Sequence, residues 1–271
     1  MPSAPPTPVR AALELDGRHL SYLDYGGHGR PLLALHGHLD QGMTWSGLAA
    51  ELGPRWRVIA PDQRGHGESD RAADYSREGY VADLAALLDH LDVGPVVALG
   101  HSLGGLNAYQ LAARHPALVR ALVIEEIGAV VSGPSRLDFV LSSPYEAATR
   151  DELVAGLGAA GPMFADLLRQ LPDGTWRLPF HPHDTVESER SNWGDHWADW
   201  LASDVPALLL VGRDSPITSG QAQEMAERRP HTRLVTLQGD HFVHVQDPAG
   251  FIGAIQDFLR MLDVTAVTGE G

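Results

Sequence analysis

The run Gly100-His101-Ser102-Leu103-Gly104-Gly105 sets a serine among small residues, directly after the apolar stretch Pro95–Leu99 and ahead of the helix-forming stretch Leu106–Arg114. A strand must here reverse into a helix within a few residues, and Gly100, Gly104 and Gly105 give the backbone room to do so. A serine at that apex is held in strained backbone, its Oγ lifted out of the sheet beside the free N–H groups of a helix start. A Gly-x-Ser-x-Gly string is a common accident by itself; flanked by a strand and a helix, it predicts a nucleophile. A serine hydroxyl needs a base to take its proton, and the base needs an acid to orient it. Two later segments offer them: a strand ending in Gly212-Arg213-Asp214, and the next ending in Gly239-Asp240-His241-Phe242. His244 is a rival base, and Glu126, just past the strand Ala121–Ile124, is a rival acid.

The elements around these residues follow a regular rhythm. Val9–Asp16 and His19–Tyr25 read as a hairpin across Asp16-Gly17-Arg18. Pro31–Leu35, Trp56–Ala60, Val96–Leu99 and Ala121–Ile124 read as strands, with helices predicted around Met43–Leu52, over Ser76–Leu91 and after Ser102. In Ser76–Leu91 the residues Val81, Leu84, Leu87, Leu88 and Leu91 recur at helical spacing. Strands that are apolar on both faces and alternate with helices imply an α/β fold, a mostly parallel central sheet with helices on both faces. The rhythm breaks after Gly128, in a proline-rich stretch with short helices predicted at Asp151–Leu157 and Met163–Leu171. It resumes with Pro206–Val211, Ser219–Arg229, Arg233–Leu237 and Pro248–Leu262. The expected organisation is a core over 1–127, a helical cap inserted over 128–203 and the rest of the core over 204–271, with both chain ends frayed.

Four separated segments resemble the α/β-hydrolase superfamily: Leu35-His36-Gly37-His38, Asp62-Gln63-Arg64-Gly65-His66-Gly67-Glu68-Ser69, the serine turn, and Gly239-Asp240-His241-Phe242-Val243-His244. The resemblance implies Ser102 as nucleophile, His241 as base and Asp214 as acid, with the backbone N–H groups of His38 and Leu103 as oxyanion hole. Chain order and the sharp turn that Gly212 permits favour Asp214 over Glu126, and the family's habit of placing the base first favours His241 over His244. His36 and His66 fall in loop-shaping motifs. The resemblance makes 128–203 a variable cap over the substrate, so the expected pocket takes in Leu39, Trp193, Trp197 and Phe242. Trp193, Trp197 and Trp200 recur at helical spacing and fit cap-to-core packing equally well.

Composition narrows the chemistry. The 271 residues include no cysteine, which removes disulfides and thiolate chemistry, and all 20 basic residues are arginine, which removes any lysine mechanism. A formal charge of −15 argues against nucleic acid and anionic membranes as partners. No apolar stretch is long enough to span a bilayer, and Met1–Pro8 shows no signal-peptide pattern, so a cytoplasmic location is expected. His181, His183 and Asp184 form a His-x-His-Asp cluster with no further ligand at metal spacing and read as a solvated cap loop; no metal and no cofactor is expected. Serine at the turn excludes aspartate-nucleophile dehalogenase and epoxide hydrolase chemistry, and Leu103 stands where cofactor-free haloperoxidases commonly carry Met. The expected reaction is hydrolysis of an uncharged, partly apolar small-molecule ester or lactone. Two alternatives are carbon–carbon bond hydrolysis of a diketone-like substrate with the same triad, and a ligand receptor built on the scaffold.

Overall fold

The computed structural model describes residues 7–217 and 219–268. Eight strands form the central sheet: β1 (Val9–Leu15), β2 (Arg18–Asp24), β3 (Arg30–Leu35), β4 (Trp56–Pro61), β5 (Val96–His101), β6 (Val119–Glu125), β12 (Ala207–Gly212) and β13 (Thr232–Leu237). Their spatial order is β1-β2-β4-β3-β5-β6-β12-β13, antiparallel at β1–β2 and β2–β4 and parallel from β4 onward. The core helices are α1 (Ser46–Leu52), α2 (Arg77–His90), α3 (Leu103–Arg114), α8 (Ser219–Arg228), the single turn α9 (Val243–Gln246) and α10 (Pro248–Thr268). Residues 269–271 and 1–6 lie outside the described residues, so the expectation of frayed ends is only partly visible; α10 runs past Leu262 to Thr268.

Alternation along each strand divides the core into two layers. Leu33, Leu35, Ala98, Leu122, Ile124 and Leu209 pack on one face with α2, α3 and Trp200, while Leu32, Ala34, Val97, Leu99, Val123 and Leu208 pack on the other with α1 and α10. Because both faces are covered, these strands read as unbroken apolar runs, and each fully buried Leu or Ile contributes about 1.5–3 kcal/mol. The parallel register brings Gly100 beside Ile124 and Gly212 beside Leu237. Loops after β5, β6, β12 and β13 therefore open on one edge of the sheet, the edge where α/β folds place ligands.

Between β6 and β12 lies the cap, with α4 (Arg150–Gly156), α5 (Gly161–Phe164), α6 (Pro182–Ser191) and α7 (Trp197–Leu201). It also carries short strands, β7 (Val130–Val131) paired with β11 (Gly194–Asp195), and β10 (Trp176–Arg177) between β8 (Glu146–Ala147) and β9 (Arg169–Gln170). The helix expected over Met163–Leu171 stops at Phe164. Pro172-Asp173-Gly174 turns the chain, with Asp173 accepting from Thr175 N, and Arg169–Gln170 pairs as strand instead. The cap has its own apolar core of Val140, Leu153, Phe164, Leu178, Phe180 and Val186, into which Leu39 inserts from below. Polar ties fasten it to the sheet domain: Arg71 forks onto Asp184 at 2.6 and 2.7 Å, and Tyr75 donates to the same carboxylate at 2.7 Å. Asp184 is thus a buried anchor rather than part of a solvated loop.

Candidate active site

Ser102 follows β5 at φ 50°, ψ −113°, a positive-φ conformation that costs a non-glycine residue of order 1–3 kcal/mol. Close packing holds it there. A Cβ on Gly100 would lie 2.2 Å from the Gly104 carbonyl carbon, and one on Gly104 would lie 2.3 Å from the Leu35 carbonyl oxygen. Only glycine lets β5, β3 and the start of α3 approach this closely. The amide of Ser102 donates to Glu125 O at 2.8 Å, while those of His38 and Leu103 have no acceptor among the described residues. Two N–H groups are left free beside the serine.

Burial keeps the histidines beneath this site neutral. His36 falls to about 3 through desolvation and the neighbouring His66; its Nδ1 donates to Gly37 O at 2.7 Å and its Nε2 accepts from Gln63 N at 2.9 Å. His101 also lies well below the ordinary imidazole value, through desolvation and then the charge of His241. Its Nε2 donates to the backbone carbonyl of His241 at 2.7 Å, so the residue before the serine holds the loop that carries His241. Gly37 makes this possible, since a Cβ there would sit 2.5 Å from His101 Nδ1.

Ser102, His241, His38, Leu39, Trp193 and Phe242 line one cavity of about 120 Å³. Leu103 is buried behind it. Trp197, expected in the pocket, packs instead against the core beside Trp200, with the Arg228 guanidinium over its ring at 4.0 Å. The periodicity that suggested a pocket wall marks cap-to-core packing: Trp200 Nε1 donates to Met225 O at 3.0 Å and its ring meets Tyr109 edge-on.

The acid is where structure and sequence expectation diverge. Glu126, also at positive φ (54°), has a fully buried carboxylate 3.6 Å from His241 Nδ1. That nitrogen is buried and has no hydrogen-bond partner among the described residues, so the carboxylate is an acceptor one small movement away. Glu126 is held by Gly212 N, donating to Oε1 at 2.5 Å, and by Ser215 Oγ, donating to Oε2 at 2.7 Å. The loop after β12 therefore wraps the Glu126 side chain. Asp214, expected to fill this role, is exposed on the same loop; its amide donates to Gly239 O at 2.9 Å, and its carboxylate has no partner among the described residues. Gly212 does turn the chain sharply, but it turns to deliver an amide to Glu126.

One residue upstream, Glu125 makes a second pair that sequence reasoning missed. Its Oε1 accepts from His244 N at 2.9 Å and from His244 Nδ1 at 2.8 Å, with both side chains buried. Desolvation works against a charged imidazole here, but the charge and hydrogen bond of Glu125 outweigh it and raise the pKa of His244. His101, Glu125 and His244 also bring possible metal-ligand atoms within 4.8 Å of one another, yet Glu125 Oε1 and His101 Nε2 are already hydrogen-bonded within the protein. The available signal was the doublet Glu125-Glu126 at the end of an apolar strand, matched by two histidines three residues apart.

Comparison with known proteins identifies the family and the fold. Residues 30–144 match the family model described as the alpha/beta hydrolase fold. The structure superposes on that of a marine microorganism esterase with a TM-score of 0.78 and 30% identity, covering 88% of this chain and 98% of the other. The 2-(acetamidomethylene)succinate hydrolase of Mesorhizobium japonicum is 29% identical over 86% of this chain and 89% of its own. A non-heme haloperoxidase of Rhodococcus erythropolis is 30% identical over 74% of this chain and 80% of its own.

Proposed function

This chain belongs to the α/β-hydrolase family, and from that premise we propose that it cleaves small carboxylic esters or lactones through an acyl intermediate on Ser102. The observation that carries the proposal is a serine in strained backbone, two unpaired amides and an accessible imidazole around one cavity. In the first step Ser102 Oγ attacks the carbonyl carbon while His241 takes the hydroxyl proton. Negative charge gathers on the carbonyl oxygen between the amides of His38 and Leu103, where losing one such donor costs about 10²–10³-fold. The imidazolium then protonates the leaving alkoxide as the C–O bond breaks. Water repeats the sequence on the acyl group, and the acid leaves with Ser102 restored.

We assign the orienting acid to Glu126 in place of Asp214. A buried carboxylate beside Nδ1 stabilises the imidazolium and holds the ring in the tautomer that leaves Nε2 free for the serine. A 3.6 Å separation is ordinary for such a pair without substrate, since these contacts tighten in the reacting complex. At about 120 Å³ the cavity is somewhat smaller than the ~150 Å³ that takes a benzene-sized group, which favours short acyl chains. Similarity to the marine esterase supports the choice of bond. The test is a p-nitrophenyl ester chain-length series run beside a lactone panel. Acetyl to pentanoyl esters should outpace octanoyl, and Ser102→Ala should lower kcat about 10⁴–10⁶-fold with the fold intact. Full activity in that variant, or no turnover of any ester or lactone by the wild type, would refute the proposal.

A further inference from the structure

Beside Ser102, the cavity wall contains two polar side chains whose rear faces are fixed by buried partners. His38 Nε2 lies 2.9 Å from Ser188 Oγ on α6, and Ser188 Oγ lies 2.6 Å from Tyr80 OH on α2. Ser188 and Tyr80 are fully buried, so every polar proton in the chain must find an acceptor within it. Were His38 Nε2 to carry the proton and donate to Ser188, either the serine or the tyrosine proton would be left with no acceptor. The arrangement without an orphan runs Tyr80 O–H to Ser188 Oγ, and Ser188 O–H to His38 Nε2. Burial pushes the Tyr80 phenol up to about 12, which keeps it a donor, and burial followed by the charge of His66 holds the imidazole of His38 neutral. A neutral ring that accepts at Nε2 carries its proton at Nδ1. That nitrogen has no partner among the described residues and is not fully buried, and His38 lines the cavity.

One helical turn after Ser188, Asn192 repeats the logic. Its Oδ1 accepts from the buried guanidinium of Arg77, which can only donate, and this fixes the amide with Nδ2 on the other side. Asn192 is 4% exposed and lines the same cavity, with no partner for Nδ2 among the described residues. The pairs share their supports: Arg77 and Tyr80 are three residues apart on α2, and Ser188 and Asn192 are four apart at the end of α6. The result is a wall of two donors whose acceptors are both used up behind it.

We propose that His38 Nδ1–H and Asn192 Nδ2–H form a recognition patch selecting substrates that carry a second carbonyl oxygen besides the one under attack. The inference deepens the hydrolase reading and rests on it for taking this cavity as the substrate site. Arg136 and Glu189 bring one charge of each sign to the same cavity and offset each other, so the patch suits a neutral ketone or ester oxygen rather than a carboxylate. An acceptor-free acyl chain leaves both donors unpaired and is disfavoured.

The test uses the Ser102→Ala protein, which binds without turning substrate over, so its results stand whether or not the wild type hydrolyses esters. Long-range ¹H–¹⁵N correlation should show His38 protonated at Nδ1 and bare at Nε2. Methyl 4-oxopentanoate should bind at least tenfold more tightly than methyl pentanoate, the factor for about one neutral hydrogen bond, and more tightly than methyl hydrogen succinate. Adding Asn192→Asp, which keeps the shape and the Arg77 contact but removes the donor, should cut the first preference about tenfold. A proton on Nε2, equal affinities for the first two esters, tightest binding of the carboxylate, or a preference that survives Asn192→Asp would overturn the proposal. If the double variant fails to fold, the tautomer and the three affinities in the single variant still decide it.

Discussion

Glu125 and Glu126 are consecutive residues of the same type, and each faces a histidine of the same short loop, yet the two pairs are built differently. Glu125 and His244 are both buried, joined at 2.8 Å and doubly hydrogen-bonded, with Trp45 packed against the imidazole. Glu126 and His241 stand 3.6 Å apart; the carboxylate is buried and braced by Gly212 and Ser215, while the imidazole is about one-third exposed and lines the cavity. Alternation along β6 and past its end sends the two glutamate side chains in different directions. In the proposed mechanism the Glu126–His241 pair gains and loses a proton in each turnover, and such a pair needs slack and access to substrate. A pair that only fixes the α9 turn needs neither, and two hydrogen bonds onto one buried carboxylate oxygen hold it in place.

The largest difference between the pairs should appear when each histidine is removed. His241→Ala should lower kcat for a short p-nitrophenyl ester at least 10⁴-fold with little change in thermal stability, whereas His244→Ala should act mainly on stability. Equal kinetic losses would erase the distinction. A second comparison concerns the rigid pair alone. Glu125→Gln should destabilise the fold by about 3–5 kcal/mol, the range for breaking a buried ion pair, measured by denaturant unfolding near pH 6. The pKa of His244 is raised in the folded state, so the pair's contribution is complete below the unfolded imidazole value of ~6.5 and is lost as pH rises through the higher folded value. The gap between wild type and Glu125→Gln should therefore narrow at alkaline pH; a gap that widens would mean that the pair is not charged in the fold. The smallest effect is expected from Asp214→Asn, within about tenfold in kcat, because that carboxylate is exposed and has no partner among the described residues.

Much of this was legible in the sequence because it depends on local rules. The strand-turn-glycine context located Ser102, and continuous apolar strands gave a parallel sheet covered on both faces. The segment Gly239–His244 brought His241 to the cavity that Ser102 lines. What stayed hidden depends on side-chain direction over long sequence distances. Asp214 and Glu126 end neighbouring strands on one edge, and chain order favoured the former; only the burial of Glu126 under the Gly212 and Ser215 donors separates them. Trp197 shows the same limit, since helical spacing identifies an apolar face but not what the face meets. In the cap, pairing of Arg169–Gln170 with β10 overrode a helical pattern that was locally sound.

The most direct test of the account is kcat for p-nitrophenyl acetate in Glu126→Gln and Asp214→Asn, measured side by side on folded protein. Glu126→Gln keeps the shape of the side chain but removes the charge beside His241 Nδ1, and should lower kcat at least ~10³-fold, the scale for losing a triad acid. Asp214→Asn should remain within about tenfold of wild type. A large loss in Asp214→Asn, with Glu126→Gln near wild type, would contradict the assignment and return the acid to the loop after β12.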